Sequence, residues 1–485
     1  MSKFKELFAA KDLTEGSPWK GIAKFAFPML LGNVAQQFYN TADSIIVGKY
    51  VGDNALAAVG SASPILNLLL VLFVGVATGA GIMVAQYFGA KERKKLSCTI
   101  GVCITLNAIA SLIIMIIGPI LTKPLLSMLN TPETIYQWCV DYLNILFIGV
   151  AGLTYYNILA GILRGLGDSA TALLFLLIST VLNVVLDIWF VAGLNMGVAG
   201  VALATAIAQG LSALLCTIKL LKMKEVFDLN WEMLKLDKKY ASKLIKLGLP
   251  SGITQAIFSL ALIVVQSLTN SFGEMVIAAN VIVMRIDGFA MMPNFTFGAA
   301  MTTYAGQNIG AGKMDRVRRG TKDGTLMAVI VSTSITILIL TFGKYIMRIF
   351  TDTSELVNLS MYMMRILALG YIAMAVTQSL SGVMRGAGDT MTPMWISLIT
   401  TVLLRMPIAY GIAYLTRSPE YPTGRFESTV ISLLVSWTIG SIITSIFFKR
   451  GNWRKKALAG LFTSVIIALL KHFYHVLYSI ILLHF

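Results

Sequence analysis

The phrase Gly161-Ile-Leu-Arg164-Gly165-Leu-Gly167-Asp168 returns 221 residues later as Gly382-Val-Met-Arg385-Gly386-Ala-Gly388-Asp389. The same offset pairs Gly52 with Gly273, Ala57-Ala58 with Ala278-Ala279, and Gly149 with Gly370. It also pairs Gln86-Tyr-Phe-Gly89-Ala90 with Gln307-Asn-Ile-Gly310-Ala311, while Pro28 and Pro250 match with a slip of one residue. A constant offset over so long a stretch identifies a duplicated unit. The fold must therefore hold two copies of one topology.

Each copy is built from apolar runs. Only 13% of the residues are charged and the mean hydropathy is +0.77, against roughly 25% charged residues in a soluble domain. Twelve runs, near 23–48, 56–85, 96–121, 135–162, 170–192, 197–220, 244–270, 276–304, 322–349, 357–384, 391–415 and 427–448, are long enough to cross about 30 Å of hydrocarbon. The expected fold class is an all-α integral membrane protein with twelve transmembrane helices in two six-helix lobes. Six is even, so both lobes enter the membrane the same way round, as a parallel pseudo-two-fold repeat. The expected divisions are a cytoplasmic N-terminal segment (1–24), a first lobe (25–221), a cytoplasmic connector (222–245), a second lobe (246–450) and a C-terminal tail (451–485) that lies on or spans the membrane. Two such halves around one cavity are an arrangement of secondary transporters.

The net charge of +16 points at first to nucleic acid, but its placement says otherwise. With the N-terminus inside, 29 of the 39 Lys and Arg fall in inside segments and 6 in outside ones. That asymmetry is the positive-inside rule, so the basic charge reports topology and the neighbours of these loops are anionic lipids. The expectation is a monomeric, multi-pass protein of the cell membrane with a cytoplasmic N-terminus and no nucleic-acid partner. Residues 1–24 lack the apolar core and cleavage site of a signal peptide, and Phe4 to Ala10 has room for a short surface helix. Cys98, Cys103, Cys139 and Cys216 fit neither a disulfide framework nor a metal site. All three histidines follow residue 470, and no phosphate-binding loop of the Walker type occurs. Enzymatic chemistry and direct ATP drive are not expected, nor is a resident cofactor.

Ionisable groups at membrane depth are costly and mark function. Asp43, Asp187 and Asp287 are the clear cases; Asp141, near a helix end, can reach water. Asn183 lies four residues before Asp187, on the same helix face. After the short turn Gly193–Gly200, Thr205 returns to a similar depth. With Asp43 these form a set of oxygen donors suited to Na⁺ or to a shared proton. The bland alternative is that each is separately paired within the bundle. Asp287 has Arg285 nearby in sequence. Pro28, about four turns before Asp43, removes a helix hydrogen bond and so gives the first helix straight and bent forms; a static kink is the alternative. Met284 and neighbouring Met and Phe side chains suit lipophilic cations. Asn157 and Gln378 occupy equivalent repeat positions from which to line a cavity. The Arg-Gly-x-Gly-Asp phrases read as helix ends, with Gly as the left-handed cap and Asp168 and Asp389 capping the next helix. The alternative is a gate of Arg–Asp pairs between lobes.

The runs Phe27-Pro28-Met-Leu to Gln36-Gln37-x-Tyr39-x-x-x-Asp43, Val47-Gly-Lys-Tyr-Val-Gly-Asp53-x-Ala-Leu-Ala-Ala, and Leu182-Asn183-x-x-x-Asp187 followed by Gly197-Val-Ala-Gly200-x-Ala-x-Ala-Thr205 resemble the multidrug and toxic compound extrusion (MATE) family over residues 20–450. The resemblance implies export of organic, often cationic, compounds in exchange for Na⁺ or H⁺ by alternating access. It places the coupling-cation site on Asp43, Asn183, Asp187 and Thr205. Gln36 and Tyr39 lie near it and, with Asn157, Gln378, Asp287 and Met284, are candidates for contact with substrate. Acidic residues that some members carry in the seventh and tenth helices are replaced here by Gln255, Gln266 and Gln378. That favours coupling through the first lobe alone. The nearest rival is a lipid-linked sugar or polysaccharide flippase of related architecture, which calls for a strongly basic cavity; the intramembrane arginines are only Arg285, Arg365 and Arg405.

Overall fold

The computed structural model describes residues 9–128, 131–454 and 456, apart from the side chains of Asn40, Ser44, Asp53, Pro64, Asn67, Leu68, Leu69 and Leu72. Residues 4–8 of the expected surface helix and the tail 457–485 lie outside the described residues. Among those described, the chain runs through α1 (Pro18–Tyr50), α2 (Asp53–Gly89), α3 (Arg93–Met128), α4 (Glu133–Ile148 and Val150–Gly165), α5 (Ser169–Gly193) and α6 (Gly197–Leu221). It continues through α7 (Lys238–Asn270), α8 (Glu274–Gly310), α9 (Met314–Arg348), α10 (Ser354–Ala368 and Gly370–Gly386), α11 (Met391–Leu415) and α12 (Glu427–Arg450). The protein is an all-helical, multi-pass membrane protein. Among the described residues eight helices are apolar and long enough to cross a bilayer alone, and ten when each bent span is counted once. α1 is less apolar because it carries Asn33, Gln36, Gln37, Asn40 and Asp43.

The repeat governs the geometry. The starts of α2, α3 and α4 at 53, 93 and 133 recur at 274, 314 and 354. α4 bends by 52° at Gly149, and α10 bends by 42° within one residue of the equivalent Gly370. The register slips by one residue at the first and fifth helices of each half and fails by more only at the last. α12 starts 230 residues after α6 because the loop at 416–426 is longer than that at 194–196.

Glycines set the helix spacing. A methyl at Gly161 or Gly165 of α4 would lie 2.8 Å from the carbonyl oxygens of Ala77 and Gly81 on α2. Gly382 and Gly386 of α10 meet Gly298 and Thr302 of α8 in the same way. Between the lobes, Gly75 and Gly79 of α2 face Gly248 and Gly252 of α7, where an added methyl would stand 2.7–2.8 Å from backbone atoms. Two small-xxx-small faces thus bring these helices into backbone contact across the lobe boundary. The second half of each repeated phrase caps helices. Gly167 and Gly388 have φ of +82° and +91°. Asp168 accepts from Thr171 N and Oγ1 (3.0 and 2.6 Å), and Asp389 accepts from Thr392 N and Oγ1 (3.3 and 2.7 Å). Among the described residues no Arg–Asp pair joins the lobes: Asp168 is approached by Lys219 (3.8 Å) and Asp389 by Lys456 (2.6 Å).

The lobes close on each other at the end that carries the N-terminal segment. Gln86 Nε2 donates to Gly386 O (2.8 Å) and Gln307 Nε2 to Gly165 O (3.0 Å), a reciprocal pair generated by the repeat. Residues 9–17 run across this seam. Lys11 N donates to Leu166 O (3.1 Å), and Leu13 N to Gln307 Oε1 (2.9 Å). Arg316 of α9 donates to Leu13, Glu15 and Gly16 carbonyls at 3.2, 3.0 and 2.8 Å. The connector before α7 docks on α3. Arg93 grips Asp228 through two 2.8 Å bonds and donates to the Glu225 carbonyl at 2.6 Å, and Ser97 Oγ accepts from Asp228 N at 2.9 Å. α7 begins at Lys238, with Asp237 accepting from Lys239 N (2.7 Å), so the connector is shorter than the charge pattern predicts.

Candidate functional site

Inside the first lobe, α1, α5 and α6 bring a polar cluster together in otherwise apolar packing. Asn183 and Asp187, one turn apart on α5, are both 0% exposed. Directly after Asp187 the helix widens to a π-helical turn, Ile188–Gly193, a device that recurs at functional positions. Asp43 of α1 lies beside Asp187, and Thr205 Oγ1 of α6 approaches Asp43 Oδ2 at 3.5 Å, the outer limit of a hydrogen bond. Tyr39, one turn before Asp43, is buried against Thr205 and Gln209. Of the four residues expected to form a set, Asp43, Asp187 and Thr205 come together, and Asn183 stands one turn before Asp187 on the same helix.

The cluster is short of protons. Asp43 Oδ1, both Asp187 oxygens, both Asn183 amide atoms, the Tyr39 hydroxyl and Gln209 Oε1 are buried without a hydrogen-bond partner. Buried polar atoms are ordinarily paired, and most of these are acceptors. What completes such a set is positive: a proton shared between the carboxyls or a small hard cation held by their oxygens. The donor set fits either. Among the described residues no group of three His, Cys, Asp or Glu assembles that could hold a metal.

A second feature lies between the lobes and runs into the second one. One cavity of about 340 Å³ is lined by Asn33, Asn157, Arg164, Gln255, Gln378 and Arg385, among others, drawn from both lobes. The other, of about 300 Å³, lies in the second lobe and includes Met284, Asp287, Phe295, Thr400 and Arg405. Thr254, Gln255, Phe258, Phe295, Gln378, Arg385 and Pro393 line both, so the two adjoin and together are the void between and within the lobes. Asn157 and Gln378 thus face it from opposite lobes, and Met284 and Asp287 line its deeper part.

Position bears on three of the expectations. Tyr39 belongs to the carboxylate cluster, and neither it nor the half-buried Gln36 lines either part of the void. Asp287 lies beside Tyr371 of α10 and within electrostatic reach of Arg405 of α11, while Arg285 is exposed; two residues apart on one helix, 285 and 287 point to different sides. Arg164 and Arg385, read from sequence as helix-end residues or as members of an Arg–Asp gate, line the void. Gln209 was missed, although it stands one turn after Thr205 on the same face. Tyr142, buried near both carboxyls, carries no local signal because α4 delivers it from elsewhere in the chain. Pro28 lies inside the unbroken α1, and Ser169 Oγ donates to Phe25 O (2.8 Å) in the turn before it.

Comparison with known proteins gives one answer. The MatE family profile matches residues 28–189 and 250–411, one segment in each half. The probable multidrug resistance protein YoeA of Bacillus subtilis is 28% identical over 424 residues, covering 86% of this chain and 92% of that protein. The probable multidrug resistance protein YpnP of the same organism is 29% identical over 451 residues, covering 93% and 99%. A crystal structure of MATE in the bent conformation superposes with a TM-score of 0.85 at 22% identity, over 92% of this chain and 98% of that one.

Proposed function

The chain belongs to the MatE family of membrane transporters, and on that premise we propose that it is a secondary active multidrug efflux antiporter. It exports lipophilic, often cationic, organic compounds across the cell membrane in exchange for Na⁺ or H⁺. The observation that carries this reading is the buried, proton-poor cluster of Asp43, Asn183, Asp187, Thr205 and Tyr39. It is chemically fitted to one positive ion and set apart from a larger, mixed apolar–polar void fitted to an organic molecule. The positive-inside pattern supports a cytoplasmic N-terminus, and in this reading the seam closed by Gln86, Gln307 and residues 9–17 is the cytoplasmic one.

In this reading the first lobe takes up the coupling ion and the void takes up the substrate. When the ion enters, the two carboxyls cease to repel each other and the acceptors gain their missing partner. α1 then packs differently against α5 and α6. Pro28, with its missing hydrogen bond, is the point at which α1 can change course. α1 also donates from Asn33 Nδ2 to Thr296 Oγ1 of α8 at 2.8 Å, a direct link from the ion-binding helix to the wall of the void. Because ion and substrate act on one equilibrium, each must weaken the other by the same factor.

Accumulation of a fluorescent organic cation in cells expressing the protein tests this, with the Na⁺ gradient and the pH gradient collapsed separately. Export should stop on collapse of one of them and survive collapse of the other. Export that survives loss of both gradients would refute antiport. A flippase of related architecture is the second reading, favoured by the arginines that line the void. It predicts transport of a lipid-linked diphosphate sugar and no response to collapse of either gradient.

A further inference from the structure

The repeat sets two equivalent helix faces side by side, and they are covered differently. On α3, Ser97, Gly101 and Thr105 receive the connector. Ser97 Oγ accepts from Asp228 N at 2.9 Å, Thr105 Oγ1 donates to Leu234 O at 2.6 Å, and a methyl on Gly101 would collide with the Met233 carbonyl. The 221-residue offset carries these positions to Arg318, Lys322 and Leu326 of α9. Two of the three are now basic, and where the connector sits on α3, α9 borders a cavity of about 390 Å³. The end of α12 makes the other wall. Gly451 turns the chain at φ +75°, Trp453 Nε1 donates to Phe448 O at 3.0 Å with the rings stacked at 5.0 Å, and Arg454 returns toward α9. Three cations thus border one groove, at the membrane end that carries the N-terminal segment. Protein anions match them poorly. Arg318 meets Asp315 at 3.8 Å with both side chains mostly exposed, a pairing worth little, and Asp323 does not border the groove. Among the described residues, Arg454 Nε and Thr325 Oγ1 are buried without a partner.

We propose that this groove is a binding site for an anionic phospholipid, with its phosphate held by Arg318, Lys322 and Arg454 and an acyl chain against Leu326, Leu380 and Phe448. The two halves of the ligand follow the two halves of the groove. Leu326 stands one turn beyond Lys322 toward the membrane interior, so the apolar wall begins where the basic one ends. The segment after α12 is the positional counterpart of the connector, but it lacks the right chemistry. The connector brings its own anion, Asp228, which Arg93 grips. Residues 457–485 contain no Asp or Glu, so no side chain there can neutralise three cations. A lipid supplies the missing charge and covers the apolar wall at the same time. Basic pockets between membrane helices on the cytoplasmic side suit such headgroups, and on the orientation proposed above this is the leaflet rich in anionic lipid. The first lobe is braced on this face by protein and the second by lipid.

The test is the melting temperature of the purified full-length protein in a neutral detergent, titrated with phosphatidylglycerol, phosphatidylcholine or inorganic phosphate. Phosphatidylglycerol should raise it saturably, as a ligand of the native state does, and the other two should not. The Lys322→Gln, Arg454→Gln double variant should need roughly tenfold more phosphatidylglycerol or more for half the effect. Lys322→Gln alone, at an exposed position, should move the same way and decides the matter if the double variant does not fold. The control is Lys238→Gln with Lys239→Gln, which removes the same charge from the exposed start of α7 and should respond as the wild type does. Half-saturation unchanged in Lys322→Gln would overturn the site. An equal loss in the control would overturn it too, by giving the effect to overall surface charge. Stabilisation by inorganic phosphate alone would make it a site for a free anion, and a wild type indifferent to phosphatidylglycerol would leave the groove to the tail.

Discussion

Asp187 and Asp43 place two carboxyls side by side in a part of the first lobe where neither finds a full complement of donors. Their position followed from the sequence because each stands alone in an apolar run, and Asn183 and Asp187 were paired by helical spacing. Gln209 was equally legible by that rule, one turn beyond Thr205. The Asp287–Arg405 approach was not, since it joins helices more than a hundred residues apart and only packing reveals it. If the cluster holds the coupling ion, Asp187→Asn should reduce gradient-driven export by at least about tenfold, the loss expected when a charge-assisted contact is removed. The folded protein should persist, because removing one of two neighbouring like charges leaves less repulsion. Its melting temperature should stop responding to the coupling ion, which in the wild type stabilises by binding the native state. A variant whose melting temperature rises with the ion as in the wild type would place the ion elsewhere.

At the scale of helices, the repeat was visible in the glycines, but their purpose was not. From sequence, the Gly-rich phrases read as helix ends. In the structure only Gly167 and Gly388 do that work, while Gly161, Gly165, Gly382 and Gly386 let helices approach within each lobe. Gly75, Gly79, Gly248 and Gly252 do the same between lobes, a contact that no single-helix pattern reveals. Gly248→Val should destabilise the protein by about 1–3 kcal/mol through overpacking, seen as a lower melting temperature in detergent. An unchanged melting temperature would mean that the α2–α7 contact yields. The connector offers a contrasting case. Arg93→Ala should speed proteolysis within residues 222–237 several-fold without lowering export. The Arg93 hydrogen bonds hold the Asp228 carboxyl below its ordinary range, near 4 for a free aspartate. Its contribution is therefore complete above about that pH and is lost only as pH falls through the lower folded value. Wild-type cleavage in the connector should be flat between about pH 5 and 8, and a steep rise at pH 6 would show that another group holds it.

Over the whole molecule, two copies of one topology are held together at one end by Gln86 and Gln307, each reaching the α-helical C-terminus of the opposite lobe. The sequence showed the two glutamine loops as a repeat but not that they exchange partners, because their meeting is a consequence of the two-fold arrangement. Residues 9–17 add to this seam, and that docking was also hidden: the segment is short and polar, with no periodic apolar face to mark a contact. The Gln86→Ala, Gln307→Ala double variant should shift the population toward a state open at this end, seen as several-fold faster maleimide labelling of Thr302→Cys in a background without the four native cysteines. Equal labelling rates would show that the glutamines do not hold the seam. The arrangement of ion cluster in one lobe and organic void between and beyond leads to one central claim, that ion and substrate compete through a shared conformational equilibrium. Its most direct measurement is the affinity of the purified protein for a fluorescent substrate across Na⁺ concentration and pH, with the reciprocal measurement of ion affinity with and without substrate. Coupled antiport predicts that one of the two ions weakens substrate binding by the same factor that substrate weakens ion binding, and that Asp187→Asn abolishes both effects. Substrate affinity indifferent to Na⁺ and to pH in the wild type, or a full response retained in Asp187→Asn, would contradict it.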